Sequence, residues 1–330
     1  MNDATPPPNI QTDLEPVPPR PPGVRDAVGA PRPPGVPAVA NIGLGILGIV
    51  GAGFLFTTSH AMIKLIALEY SVIQLVFFRS LFALIPLAPF LMKDGPEALK
   101  TKRPGMHAFR TLSGLASMAC FFYALSFLPL ADITAINFTM PLFATALSVP
   151  LLGEKVGWRR WTAVIVGFTG ILLMVRPGAS IFDPANMIAL LSAVLYALAV
   201  IAMRQLGKTE RSTTTTLYFT VACTIVSGAM LPFVWRTPGL LDLIPLVMLG
   251  LLGGFGQLLM TLAYRSAPPA IVAPFDYVAM VWATAYGFLL WGDVPTAGVL
   301  AGAAIVIGSG LYIIHRETRV FGLWRRRPAE

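Results

Sequence analysis

The chain has 330 residues, 55% of them hydrophobic and only 12% charged, with a mean hydropathy of +0.72. Soluble globular domains carry about 25% charged residues, so this composition excludes a soluble fold and describes an integral membrane protein. A formal net charge of +8 would suggest nucleic acid in a soluble chain; here the basic residues sit in loops and tails, where they report orientation across a bilayer and no nucleic-acid partner is expected.

Residues 1–39 are rich in proline, with Pro6-Pro7-Pro8 and Pro33-Pro34, and hold no continuous apolar run. A signal peptide needs such a run, so this segment reads as a disordered, partly polyproline-II cytoplasmic tail. From Asn41 onward the chain is almost continuously apolar, broken by short polar turns. A spanning helix needs about 20 apolar residues, and the windows 42–66, 71–92, 107–127, 131–152, 159–176, 185–205, 213–235, 241–264, 269–291 and 296–315 each supply one. The expected fold is an all-α polytopic membrane protein. A first repeat covers 42–178, a second 185–316, and a basic cytoplasmic tail 317–330.

Charge tests this layout. With the N-terminus inside, 19 of the 24 basic residues fall on the cytoplasmic side, and the outer loops keep only Arg176 and Arg236. Lys64, Arg79 and Arg110 remain within or near helices. That asymmetry puts both termini in the cytoplasm of a bacterial-type inner membrane. Trp158, Trp161, Trp235, Trp291 and Trp324 flank the expected helix ends as an interfacial belt, whereas Trp282 lies inside a span. Gly250-x-x-x-Gly254 and Gly298-x-x-x-Gly302 mark close helix contacts, read as seams within one chain, with a homodimer interface as the alternative use. Cys120 and Cys223 lie in apolar segments without metal-ligand spacing.

One stretch occurs twice, 139 residues apart: 112–154 lies over 251–293. Gly114 meets Gly253, Pro129 meets Pro268, Ala144-Thr145-Ala146 returns as Ala283-Thr284-Ala285, and Gly153-Glu154 as Gly292-Asp293. After that Gly-acid pair the first copy carries Lys155, Arg159 and Arg160, while the second carries no cation. The same loop, basic in one copy and bare in the other, belongs on opposite faces of a membrane. Ten transmembrane helices as two inverted five-helix repeats follow, an arrangement that places a substrate site between the halves.

These residues carry a resemblance. Phe122-Tyr123-Ala124-Leu125, Pro129-Leu130-Ala131, Pro141-Leu142-Phe143, Leu152-Gly153-Glu154, Arg176-Pro177-Gly178 and the second copy through Gly308-x-Gly310 resemble the drug/metabolite transporter superfamily in its EamA-type, ten-helix branch. The resemblance implies the ten-helix fold and transport of a small metabolite: a riboflavin-like vitamin, an S-adenosylmethionine-like compound or an amino acid.

Ionisable groups inside a membrane cost roughly 2.5–3.5 kcal/mol each on insertion scales and mark function. Asp276, in Ala273-Pro274-Phe275-Asp276-Tyr277, is the only acid well inside an expected span, and its repeat mate is Asn137, just before Pro141. Each proline frees the carbonyl four residues earlier, and freed backbone is tolerated where it lines a cavity. Asp276 is therefore the candidate for coupling substrate movement to protons, with Asn137 as a polar binding partner. Arg79 lies deep in its span and is expected either to bind an anionic substrate group or to pair with Asp276. His60 and Lys64, one turn apart, would guard the cavity mouth, snorkelling being the structural alternative for Lys64. Tyr123, Tyr277 and Trp282 supply stacking faces and Gln257 an amide; as single residues, the aromatics also fit a plain packing role. Arg110, at the expected start of its helix, reads as an inside-facing anchor.

Enzyme signals are missing from the sequence: His60, His107 and His315 form no ligand pair, and Gly207-Lys208-Thr209 has Ala202 where a phosphate loop needs its first glycine. No metal or cofactor is expected. The reading is a secondary transporter working by alternating access, driven by gradients, with a small-molecule substrate and membrane lipid as its surroundings. A membrane-embedded enzyme acting on a lipid-soluble substrate is the alternative, and it would need a second catalytic group beside Asp276.

Overall fold

The computed structural model describes residues 41–95, 100–153, 157–175, 183–267 and 269–324. The proline-rich segment 1–39, Glu154 and Lys155, Arg176-Pro177-Gly178, Pro268 and residues 325–330 lie outside the described residues. The helices are α1 (Ile42–Ile66), α2 (Val72–Asp94), α3 (Pro104–Leu125), α4 (Leu130–Asn137), α5 (Met140–Leu152) and α6 (Trp158–Val175). They continue as α7 (Pro184–Leu206), α8 (Ser212–Met230), α9 (Leu243–Ser266), α10 (Pro269–Val272), α11 (Ala279–Trp291) and α12 (Ala297–Trp324). Among the described residues there is no strand.

Among the described residues, seven stretches are long and apolar enough to cross a membrane: Ile42–Ile66, Val72–Pro89, Pro104–Leu125, Leu130–Leu152, Pro184–Leu206, Ser212–Phe233 and Leu243–Ser266. Two shorter apolar helices cover Trp161–Met174 and Ala297–Ile313. Large apolar side chains face outward, Leu47 70%, Leu172 60% and Leu289 74% exposed, an apolar exterior that suits lipid and not water.

Local chemistry sets the boundaries. Asn41 caps α1 by accepting from the Leu44 N–H at 3.0 Å, and Asp183 caps α7 by accepting from Ala185 N–H at 2.9 Å. Pro104 opens α3, which therefore starts earlier than expected and draws Arg110 well into the helix. Two expected continuous spans are broken. The window 131–152 splits at Phe138-Thr139, and the window 269–291 runs from α10 through a tight 3₁₀ stretch, Ala273–Val278, before α11 resumes. The prolines account for it, since Pro141 and Pro274 each remove a donor from the helical ladder. The second half of α12 continues past the expected end at 315 through Trp324.

The internal repeat is visible in the register of these elements. Helix starts fall at 104 and 243, 130 and 269, 140 and 279, and 158 and 297, each pair 139 apart. α5 and α11 both end on a glycine in the left-handed region, Gly153 at φ 65° and Gly292 at φ 70°, a conformation that favours glycine. Repeat-equivalent helices also pack on each other. Along the α6–α12 seam Gly298 lies against Leu173, Gly302 against Gly170 and Ser309 against Gly167. Numbers rise on one helix as they fall on the other, so these two equivalents run antiparallel. A Cβ on Gly302 would sit 2.5 Å from the Gly170 carbonyl oxygen, and one on Gly250 2.5 Å from the Phe82 Cβ of α2. Both glycine motifs are thus consumed by contacts within the chain.

Two polar clasps tie the helix connections. Tyr70 donates to Asp242 at 2.6 Å, while the Gln74 amide bonds both the carbonyl and the N–H of Arg236, at 2.7 and 3.0 Å. On the connection between α7 and α8, Glu210 accepts from the Thr101 hydroxyl at 3.0 Å and the Lys102 N–H at 2.9 Å, and Arg211 lies 3.8 Å from Asp94. The α1–α2 and α7–α8 connections occupy equivalent places in the two repeats, so the clasps are counterparts.

Candidate functional site

The two helix breaks meet. Phe138, on the first break, and Tyr277, on the second, are repeat equivalents 139 apart, and their rings touch edge to face at 4.9 Å. A residue in contact with its own equivalent marks the junction of the halves. Asn137 ends α4 beside it, half-buried, with its amide unbonded among the described residues. Tyr277 reaches on to α12, its Oη packed against Gly310.

Asp276 lies in the 3₁₀ stretch next to Tyr277. Its side chain is exposed. Its carboxylate makes no hydrogen bond or ion pair among the described residues, and its charge acts on Tyr196 of α7, Tyr264 of α9 and Tyr277. The expectation that Asp276 sits in a regular α-helix is corrected accordingly: it stands in the 3₁₀ segment that contains Pro274.

Arg79 stands on α2, half-buried. Its guanidinium runs along Gly253 of α9, where a Cβ would lie 3.6 Å from Nε and 3.7 Å from Nη2. His60 stands within its field and packs at 4.7 Å against the Phe121 ring. No ion pair joins Arg79 to Asp276 among the described residues, and both lie within electrostatic reach of Tyr196 of α7. Gln257 is one helical turn from Gly253 on α9 and therefore on the same face, half-buried, with its amide unbonded among the described residues.

Three expected residues are placed elsewhere. The Lys64 Nζ donates to the Leu128 carbonyl at 2.6 Å, stands 3.9 Å from Asp293 and lies 5.3 Å from the Trp291 ring centre. It ties α1 to the α3–α4 and α11–α12 connections. Tyr123 is 42% exposed on the outward face that also carries Leu112 and Phe127, with its ring 5.1 Å from Phe127. Trp282 packs edge to face on Phe54 at 5.3 Å, in the α1–α11 contact where Thr58 and Tyr286 share a hydrogen bond of 2.9 Å. Its indole N–H is buried and unbonded.

Two residues of the site were not selected from the sequence. Tyr196 carries no signal in an apolar run. Arg110 did carry one, an arginine in an apolar segment, and was misplaced only because the start of α3 was set too late. It is half-buried against α8, 3.7 Å over the Phe219 ring, and within electrostatic reach of Tyr196, Cys223 and Arg79. Among the described residues, no three metal-ligating side chains come together.

Comparison with known proteins agrees with this architecture. The model of the EamA-like transporter family matches twice, at residues 43–176 and 183–315. An S-adenosylmethionine uptake transporter of Rickettsia bellii (strain RML369-C) is 30% identical over 281 residues, covering 84% of this chain and 95% of that protein. A pseudopaline exporter of Pseudomonas aeruginosa is 30% identical over 270 residues, 80% of this chain and 93% of its own length. A riboflavin transporter of Rhizobium johnstonii is 28% identical over 289 residues, 87% of this chain and 94% of its own. With each half matched almost end to end, the chain belongs to the EamA-like transporter family.

Proposed function

We propose that the protein is a secondary transporter that carries a small polar metabolite across the inner membrane by alternating access. The observation that carries this reading is that Asp276, next to the Phe138–Tyr277 contact between the two repeats, and Arg79 within the bundle make no ion pair among the described residues; we read both as lining one opening between the halves. Uncompensated charge at such depth is costly, and it is retained where a ligand or an ion supplies the missing partner. The common helix register of the halves and the antiparallel packing of α6 on its equivalent α12 support an inverted repeat of five spans each, ten in all. The distribution of Lys and Arg supports cytoplasmic termini.

In this mechanism the halves rock about the Phe138–Tyr277 junction, exposing the opening to one side and then the other. Asp276 takes up and releases a proton as the opening changes sides, and Asn137 and Gln257 hold polar atoms of the substrate. The related transporters of S-adenosylmethionine, pseudopaline and riboflavin support a metabolite of that size and polarity. Proteoliposomes test the proposal. Purified protein should accumulate labelled S-adenosylmethionine, riboflavin or an amino acid faster than empty vesicles, and an imposed proton gradient should raise the level reached. Chemical conversion of the solute without movement would instead favour a membrane enzyme.

A further inference from the structure

Lys64 is a buried cation that the mechanism above does not use. It stands in the last turn of α1, with only 12% of its side chain exposed. Its Nζ donates at 2.6 Å to the Leu128 carbonyl, on the α3–α4 connection of the same half. In the other half it meets the end of α11, 3.9 Å from an Asp293 carboxylate oxygen and 5.3 Å from the Trp291 ring centre. Gly292 in the left-handed region fixes the backbone that presents this carboxylate, with the Asp293 N–H returning to the Gly287 carbonyl at 3.0 Å. One ammonium thus joins three helix ends drawn from both repeats. The distribution of Lys and Arg assigns that end of the bundle to the outside.

The second repeat supplies the comparison. Arg204 is the equivalent cation: Lys64 and Arg204 are the basic residues in the last turns of α1 and α7, each two residues before the last of its helix. Arg204 belongs to the opposite end of the bundle, and there it is exposed. Among the described residues it bonds neither the Ala267 carbonyl, equivalent to that of Leu128, nor any carboxylate. In an inverted repeat the two ends are built from matching parts, and exchanging their conformations exchanges the face that is closed. Here the cation is fastened at one end and loose at the other.

We propose that Lys64 is a latch: bound to Leu128 and Asp293, it holds the outer ends of the two halves together, and it is released before the protein opens outward. This rests on the transporter reading and adds to it the state of the outer face and the residue that controls it. A hydrogen bond from an ammonium is strong enough to bias a two-state equilibrium by about tenfold or more, and weak enough to break in each cycle.

Cysteine accessibility in the full-length protein provides the test. Cys120→Ala/Cys223→Ala removes both native thiols, and Asn137→Cys places a reporter beside the Phe138–Tyr277 junction. A membrane-impermeant maleimide is applied to right-side-out and to inverted membrane vesicles, and the ratio of outside to inside labelling rates is measured. Lys64→Met keeps the length and removes the charge, and should raise that ratio about tenfold or more. Asp293→Asn should raise it less, because the Leu128 bond remains. Lys64→Glu and Asp293→Lys should each raise it, and the two combined should bring it back towards the parent. Arg204→Met, at the other end, should not raise it. An unchanged ratio in Lys64→Met overturns the proposal, whether both rates hold or both rise together; the latter marks a lysine that only stabilises the fold. A reporter that Lys64→Met leaves out of reach from outside overturns it as well. If Lys64→Met does not elute as a single species, Asp293→Asn decides alone. A shifted ratio in vesicles that move no solute would refute the transporter reading and leave the latch standing; solute movement with an unchanged ratio would do the reverse.

Discussion

Asp276 has no partner to hold it in one charge state, and this separates it from Lys64, whose ammonium is held by the Leu128 carbonyl and Asp293. Asp276→Asn keeps the shape and removes the titratable proton. The variant is expected to fold and insert, to retain substrate binding and exchange, and to lose accumulation driven by a proton gradient; normal accumulation from pH 5 to 8 would make the carboxylate structural. Asn137→Ala should weaken binding and leave the proton dependence intact. Gly114→Ala acts indirectly: its Cβ would lie 2.8 Å from a Phe219 ring carbon and 3.0 Å from Arg110 Nη1, so the Arg110–Phe219 stack must shift. The Tm of purified protein should fall in that variant while Gly253→Ala, whose Cβ would make only ordinary contact at 3.6 Å, stays near wild type. Single-residue chemistry was legible in the sequence where it was anomalous. An acid or arginine in an apolar run announces itself, which found Asp276 and Arg79. Tyr196 is one apolar-compatible residue among many, and only the fold brings it within electrostatic reach of both charges. Tyr123 failed for the converse reason: helix spacing put it on the outward face, beside Leu112 and Phe127.

At the scale of elements, glycines and prolines do most of the specifying. The seam glycines make opposite predictions from identical chemistry. Gly302→Ala drives a Cβ to 2.5 Å from the Gly170 carbonyl oxygen, overpacking that should cost about 1–3 kcal/mol and lower the Tm of purified protein. Gly308→Ala, on the same helix with nothing within 4 Å of its Cβ, should match or exceed the wild type, since alanine favours a helix by about 1 kcal/mol over glycine. The Glu210 clasp makes a pH prediction. The Lys102 N–H first, and then the Thr101 hydroxyl, hold that carboxyl below its usual range. A depressed acid stabilises the fold above its unfolded pKa and loses that contribution as pH falls through the folded value. Amide exchange at Lys102 should therefore be slow and constant from pH 8 to 5 after correction for intrinsic rates, and quicken only in stronger acid; Glu210→Ala should make it fast throughout. Helix existence was legible from hydropathy, because a bilayer requires long apolar runs. The breaks at Phe138-Thr139 and Ala273–Val278 were legible only as prolines. Whether a proline kinks a helix or breaks it depends on the neighbours available to its freed carbonyl, which a single stretch of sequence does not show.

For the whole molecule, the repeat was readable in advance from the 139-residue offset, and the structure adds equivalences no string comparison supplies. Phe138 touches its equivalent Tyr277, and α6 packs antiparallel on its equivalent α12. The proposed site, with Arg79 from one half and Asp276 from the other, has no sequence signature of its own. The proposed transport cycle requires the halves to face opposite sides of the membrane, so that rocking would expose the site alternately. The most direct measurement is the sidedness of two corresponding loops in one protein. Reporter domains fused after Gly157 and after Val294, in intact bacterial cells, read the α5–α6 and α11–α12 connections. The account predicts a cytoplasmic signal at 157 and an external signal at 294, and the same cytoplasmic signal at both positions would contradict it.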